Sequence, residues 1–423
     1  MLEPKPAGTR RRLRVLVVTR LFPNSAQPMN AIYNLRQCAA LSRLCDVDVR
    51  AVIPWFPGAS VVARWSVAGR CADVPAEEVI DGLRVLHPRV LFAPKIGGSI
   101  APALYVASLW PGLRALRGQF DAVLGCWAFP DGVAAVTLGR RLGAPSVVKV
   151  HGSDLNVLAQ REPFRRIMSR TLPQASRLVA VSRPLAEKAV EMGVPPERVV
   201  IVRNGIDRDA FRVRDRAVTR SDLGISVAAR WILYVGLLHR TKGVGDLLEA
   251  FDRLAPVHPD LHLALVGEGP DLPLCRQATE RHPGRVVTTG FLPPDDVARW
   301  MGACDVLTLP SWNEGTPNVI LEAFASGRRV VATRVGGIPD IVTSPALGVL
   351  VPARNVMELA EALARAAYHD YEPETVTGAA PDGWPQSAAC LLEVLSAAAD
   401  EARTADRGSD LDALAAPKSE DLL

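Results

Sequence analysis

Short apolar runs rich in valine, isoleucine and leucine alternate with helical stretches along this chain, and the pattern occurs twice. In the first half the strand candidates are 14–19, 47–53, 121–127, 146–151, 177–182 and 199–203. Helix candidates between them include 31–43, 130–142, 163–172 and 184–192. The second half repeats the scheme, with strands at 231–235, 261–266, 285–289, 305–309 and 329–333 and helices at 245–254, 272–281, 294–301, 318–326 and 357–367. The strand runs are apolar throughout rather than alternating, as strands of a parallel sheet covered on both faces must be. Two such arrays imply an α/β chain with two doubly wound, Rossmann-like domains. A chain of 423 residues is also too long for a single core.

The expected boundaries follow from composition. An N-terminal domain takes 1–206 and a C-terminal domain 207–383, with the charged stretch 207–229 at their junction. A loop at 378–382 precedes a helix over 384–403 that can cross back onto the N-terminal domain. The polar, acidic-leaning stretch 404–423 reads as a disordered tail.

Composition excludes several classes. Hydrophobic content of 48% and charged content of 22% are those of a globular protein. The longest apolar stretch, 99–110, is too short to span a membrane and contains Pro102. The opening Met-Leu-Glu-Pro-Lys-Pro lacks a signal peptide's apolar core, so a cytoplasmic protein is expected. The 7 cysteines are odd in number and scattered, which favours reduced thiols. No nucleic-acid partner is expected.

The net charge of +4 hides an asymmetry. Residues 1–213 hold 30 Lys+Arg and 16 Asp+Glu, or +14, and the remaining residues hold 19 and 29, or −10. The basic half either meets an anionic partner, such as the inner face of the cytoplasmic membrane or a lipid diphosphate, or is an arginine-rich solvated surface.

In doubly wound sheets ligands bind beyond the carboxyl ends of the strands, so chemistry should sit just after each one. The loop after the first strand, Phe22 to Asn30, has no glycine and reads as a shaped loop rather than a phosphate cradle. His151-Gly152-Ser153-Asp154 follows the strand at 146. His151 is suited to a sugar hydroxyl or a proton, and Asp154 to an acceptor contact or a helix cap. Asn204-Gly205 reads as a turn or a site. Arg240 and Lys242 could neutralise a leaving diphosphate, and Gly267, Gly269 and Phe291 could present backbone to a flat base. Glu314 and Glu322 flank Thr316-Pro317-Asn318-Val319. Pro317 suits the first turn of a helix, whose free amides favour anions. A helix end with a carboxylate on each side suits a nucleotide-sugar.

Together these residues resemble the retaining family-4 glycosyltransferases of the GT-B fold. The matching pieces are Asn204-Gly205-Ile206-Asp207, Lys242-Gly243, Val266-Gly267-Glu268-Gly269-Pro270, Glu314 to Glu322, and Val335-Gly336-Gly337-Ile338-Pro339, with His151-Gly152-Ser153-Asp154 in the first domain. The chain looks most like the subgroup that builds exopolysaccharide or teichuronic-acid-type polymers. The resemblance implies two domains facing a cleft and transfer from a UDP- or GDP-sugar to a glycan or lipid-linked acceptor, without metal or other cofactor. It implies that Glu322 holds the ribose, Glu314 the donor sugar, Lys242 the departing diphosphate, and that His151 contacts the sugar near the reacting carbon. Two departures stand out. Leu237 occupies a position where many relatives carry arginine, and the first loop lacks glycine. They argue for the alternative of a catalytically weak subunit that binds and scaffolds a polymer-synthesis complex, whereas intact His151, Lys242, Glu314 and Glu322 argue against it, and an active transferase is expected.

Overall fold

The computed structural model describes residues 11–62, 67–92 and 98–415. Its strands are β1 (Arg14–Thr19), β2 (Asp46–Ala51), β3 (Ile53–Trp55), β4 (Glu77–Ile80), β5 (Leu83–Leu86), β6 (Arg89–Leu91), β7 (Ala122–Gly125), β8 (Ser146–Val150), β9 (Arg177–Ala180), β10 (Val199–Ile201), β11 (Arg230–Val235), β12 (Leu261–Val266), β13 (Val286–Gly290), β14 (Val306–Leu309), β15 (Arg329–Thr333) and β16 (Gly348–Val351).

The first sheet has the order β10-β9-β8-β7-β1-β2-β5-β4 and is parallel except for the β4–β5 hairpin. The second has the order β13-β12-β11-β14-β15-β16 and is parallel throughout. β3 and β6 form a separate parallel pair. β7, β8 and β14 are buried along their whole length, which explains their mostly apolar, non-alternating sequence; Ser146 and Lys149 in β8 and Thr308 in β14 are buried exceptions. In each sheet the strand order reverses beside the first strand of the array, between β1 and β7 and between β11 and β14. Those are the points where a crevice opens at the carboxyl edge.

Several elements differ from the sequence reading. The run at 47–53 is two strands, because Val52 bonds to Thr19 while Ile53 turns to the carbonyl of Pro88. The β4–β5 hairpin turns on Asp81-Gly82, both with positive φ, a turn signal the sequence carries openly. The apolar stretch 99–110 lies in a helix, Ala101–Leu113, that buries Tyr105, Val106, Leu109 and Leu113 against Leu16, Val18 and Val123. It is a core helix, not a membrane segment. The 207–229 stretch contains a helix, Arg216–Asp222, capped by Asp215 through the amide of Val218. Arg216 and Arg220 from that helix both reach the buried carboxylate of Asp305, at 2.6 Å each.

The C-terminal helix runs Trp384–Ala415. Ala388, Leu391, Leu395 and Ala398 are buried in the core of the first sheet with Val15, Leu35 and Leu41. Residues 404–415 are therefore helical rather than a disordered tail. The stretch is rich in alanine, the best helix former, and the first proline after Pro385 is Pro417. Arg403 adds bonds to Asp400 and Asp121. The expectations for the first residues of the chain and for 416–423 lie outside the described residues.

The two connections between the sheets run side by side. The amide of Ile206 reaches the carbonyl of Asp382, and the guanidinium of Arg208 donates to the carbonyls of Ala380 and Pro381. A Cβ on Gly205 would lie 2.5 Å from the backbone of Trp384, so this glycine is required by close approach.

Candidate active site in the cleft between the sheets

A cavity of about 810 Å³ opens between the carboxyl edges of the two sheets. From the first sheet it is lined by Trp127 after β7, His151 after β8 and Asn204 after β10, together with Tyr33. From the second it is lined by Gly236 and Leu237 after β11, by Lys242, and by the loop Asn313 to Val319 after β14.

Glu314 lies in the loop after β14, and its Oε1 accepts from Lys242 Nζ at 2.6 Å and from Ser311 Oγ at 2.7 Å. The pair is mostly buried, so salt screens it weakly. Gly243 makes room for this arrangement. It has φ +71°, and a Cβ there would lie 1.9 Å from the carbonyl oxygen of Pro310. Thr316 and Pro317 lead into the helix Asn318–Ala325. Pro317 is the capping residue, in an extended conformation, rather than the first helical residue. The amides of Asn318 and Val319 stand in the first turn, where no helical partner exists. A phosphate set against that turn would meet both the open amides and Lys242.

His151 sits opposite. Its Nε2 is buried and takes no hydrogen bond among the described residues. Its ring lies 4.7 Å from that of Tyr33 and stacks at 6.2 Å from that of Trp127. Burial, with a smaller contribution from Lys149, holds its pKa well below the ordinary imidazole range. It is a neutral hydrogen-bonding group at the cavity wall, not a cation.

The two sides meet through backbone. A Cβ on Gly152 would lie 2.5 Å from the Cα of Gly315, and a Cβ on Gly315 would lie 2.4 Å from the carbonyl oxygen of His151. Asn156 adds a bond from its side-chain amide to the carbonyl of Glu314 at 3.1 Å. Asn204 reaches Asn318 across the cleft at 3.2 Å. Behind the loop, the amide of Gly337 donates to the carbonyl of Gly315 at 2.9 Å, and a Cβ on Gly336 or Gly337 would lie 1.9 or 2.7 Å from the carbonyl oxygens of Glu314 and Gly315, which accounts for the two glycines.

The cavity thus brings together Lys242, Glu314, His151, Asn204, Thr316, Pro317, Asn318 and Val319. Other candidates lie elsewhere. Asp154 is fully buried, and its oxygens take the amides of Gly152, Leu155, His151 and Ala128. It orients the His151 loop and has no reach to an acceptor. Gly267 and Gly269 serve packing of loop on loop. A Cβ on either would lie 1.9 or 2.2 Å from the carbonyl oxygens of Gly236 and Leu238. Arg240 rests over the Trp312 ring at 5.5 Å, and Phe291 is exposed outside the cavity wall. Glu322 stands one helical turn beyond Asn318, on the face toward the interdomain connection. Its pKa is pushed up to about 7 by burial and then by Asp207. Sequence reasoning missed Tyr33, Trp127 and Tyr234 in the wall. Trp127 was within reach, because it lies two residues past the end of β7. Tyr33 projects from a helix and carried no such signal. The shaped first loop is held by Asn24, whose Oδ1 accepts the amides of Ala26 and Gln27 at 3.0 and 2.9 Å.

Comparison with known proteins settles the family. Residues 229–368 match the model "Glycosyl transferases group 1", and residues 60–210 match "Glycosyltransferase Family 4". A D-inositol 3-phosphate glycosyltransferase of Pseudarthrobacter chlorophenolicus is 31% identical over 310 residues, covering 68% of this chain and 73% of that one. The chain belongs to the group 1 glycosyltransferases. Another member, the Bacillus subtilis protein TuaC, named for teichuronic acid biosynthesis, is 27% identical over 93% of this chain and 96% of its own. Among solved structures, Anabaena HepE in complex with UDP aligns with TM-score 0.64 at 18% identity, over 93% of this chain and all of that one. The sucrose-phosphate synthase of Thermosynechococcus elongatus aligns with TM-score 0.68 at 18% identity, over 95% of this chain and 100% of that one. The architecture is the GT-B fold, and this group 1 glycosyltransferase carries its cavity at the crevice between the two bodies.

The glycine contact gives a direct test. Gly152→Ala and Gly315→Ala each push a methyl group into opposing backbone, so the cleft must open. We expect a larger radius of gyration in small-angle scattering, with the melting temperature of each sheet's core little changed. A wild-type radius in both variants would count against the contact.

Proposed function

We propose that the chain transfers a sugar from a UDP-sugar to a glycan or lipid-linked glycan of a cell-surface polymer, with retention of configuration and without metal. The observation that carries this reading is the Lys242–Glu314 pair beside an open helix start, facing His151 across one cavity. The donor diphosphate takes the amides of Asn318 and Val319 and draws Lys242 off Glu314. Glu314, released, accepts the donor sugar's hydroxyls, and neutral His151 Nε2 hydrogen-bonds the same sugar. Positive charge at the leaving phosphate then comes from Lys242 and the helix end. In a front-face reaction the acceptor oxygen bonds to the anomeric carbon as the bond to the diphosphate breaks. The departing phosphate takes the acceptor proton. Anabaena HepE, captured with UDP and with UDP-glucose, supports a UDP-sugar over a GDP-sugar. TuaC supports a polymer acceptor.

A second reading is a binding subunit with little turnover. Exposed Leu237 in the cavity wall favours it, since an arginine there would add a second phosphate ligand. A thermal-shift screen across UDP-, GDP- and ADP-sugars separates the cases when followed by transfer assays. A donor that raises the melting temperature and is turned over supports the enzyme. Stabilisation without turnover supports the subunit.

Three outcomes follow. Lys242→Ala and Glu314→Ala should each cost about a hundredfold or more in kcat while the melting temperature holds. Normal turnover in both would sink the assignment.

Glu322 supplies a pH dependence. Its free carboxyl titrates near 7, and ribose hydroxyls donating to it favour the ionised form. Binding therefore releases a proton, and UDP affinity should rise as pH increases through 7. Calorimetry at several pH values should show that slope, and Glu322→Gln should flatten it.

Among the described residues no helix is long and apolar enough to cross a membrane. The basic first half instead supports peripheral contact with anionic lipid from the cytoplasmic side. Co-sedimentation with vesicles should rise with anionic lipid content and fall with salt; indifference to both argues for a solvated surface.

A further inference from the structure

Lys149 is the only lysine buried to this degree among the described residues, at 1% exposure in the interior strand β8 of the first sheet. It has no carboxylate partner among the described residues. Its Nζ donates to two neutral acceptors, Gln37 Oε1 and Asn204 Oδ1, each at 2.9 Å. Gln37 stands on the helix Ile32–Ser42, and its Oε1 also lies 3.1 Å from Ser387 Oγ on the C-terminal helix. Asn204 stands in the interdomain connection, lines the cavity, and passes its amide to Asn318 Oδ1 at 3.2 Å. Asn318 opens the helix proposed to take the diphosphate. One ammonium therefore ties the first sheet, the crossing helix and the connection to the start of the second body's helix.

A methionine would fill this space without the cost of burying a charge. A buried cation with no counter-charge instead projects its field through the surrounding low-dielectric protein toward the neighbouring cleft, and salt screens that buried path little. The titratable groups facing it are Cys38 from the Ile32–Ser42 helix, Cys126 after β7 and His151 at the end of its own strand. Burial pushes Cys126 up to about 12 and Cys38 well above the ordinary thiol range, so neither supplies an anion. His151 is neutral.

We propose that Lys149 is a positioning residue for the transfer, a buried cation that fixes Asn204 between the two bodies and lends its charge to the anionic donor without touching it. The role of the donor rests on the function proposed above. The tie across the bodies does not.

Burial pulls the Lys149 pKa down to about 8. The ammonium is present below that pH and is lost as pH rises through it. Wild-type kcat/KM for the donor should therefore fall on the alkaline side of about pH 8. Lys149→Met should lower kcat/KM at pH 7 by roughly ten- to a hundredfold and lack that alkaline limb. Lys149→Arg should restore part of the rate and remove the limb, since arginine stays charged. A Met variant with the wild-type rate and limb overturns the proposal. Hydrogen–deuterium exchange reads the tie independently. Lys149→Met should speed exchange in residues 204–207 and 318–322, with β1 and β11 unchanged. Wild-type protection in those segments also overturns it. If no nucleotide-sugar is turned over by the wild type, the functional reading fails, and the exchange result alone decides the tie.

Discussion

Everything at the cleft depends on one bare contact, the approach of Gly152 to Gly315. Neither position can carry a side chain, because a Cβ on either would fall within 2.5 Å of opposing backbone. That approach sets the separation between His151 on one body and Glu314 on the other. The surrounding bonds are arranged to hold it. Asp154 collects the amides that shape the His151 loop, and Gly337 braces Gly315 from behind. Asn156 and Asn204 then pin the two edges from either side of the contact. The cavity is the space left by this geometry.

Charge in the cleft is arranged to be redistributed rather than merely present. Lys242 is satisfied by Glu314 in the free protein, so under the proposed function an incoming diphosphate would exchange one anionic partner for another and free the carboxylate at the same moment. Glu322, whose pKa burial pushes up to about 7, would under the same proposal ionise when ribose hydroxyls donate to it. Lys149 acts from behind the wall, through neutral amides. An arrangement of this kind needs little reorganisation when charge builds on the leaving phosphate, which is where preorganised sites gain most.

Much of this was legible in the chain. Predominantly apolar, non-alternating runs marked β7, β8, β11, β12, β14 and β15, because a strand covered on both faces has no polar side to show. The loops after β8, β10, β11 and β14 supplied His151, Asn204, Lys242 and Glu314 as candidates. The short β4–β5 hairpin and β16 were missed, since their residues alternate or are few, although Asp81-Gly82 announced the turn. Gly267 and Gly269 carry a constraint the sequence did not specify. A glycine makes room, and the sequence does not say whether the room is for a ligand or for another loop. Here it is for the carbonyls of Gly236 and Leu238.

The sequence by itself determined the two βα arrays, the strand-end placement of polar groups, and the set of residue types that suits a nucleotide-sugar. These are local properties, carried by periodicity and by the residues next to a strand. Only the tertiary structure decided which of those residues share a cavity. It took Asp154 and Arg240 out of the wall, added Tyr33 and Trp127, and paired Lys242 with Glu314 across 72 positions of chain. It also revealed Lys149, which in sequence is one polar residue inside an apolar strand. The physical reason is that contacts between distant segments depend on how two sheets are set against each other. That setting is governed by the steric limit at two glycines and by a few long-range hydrogen bonds, none of which leaves a periodic trace in the chain.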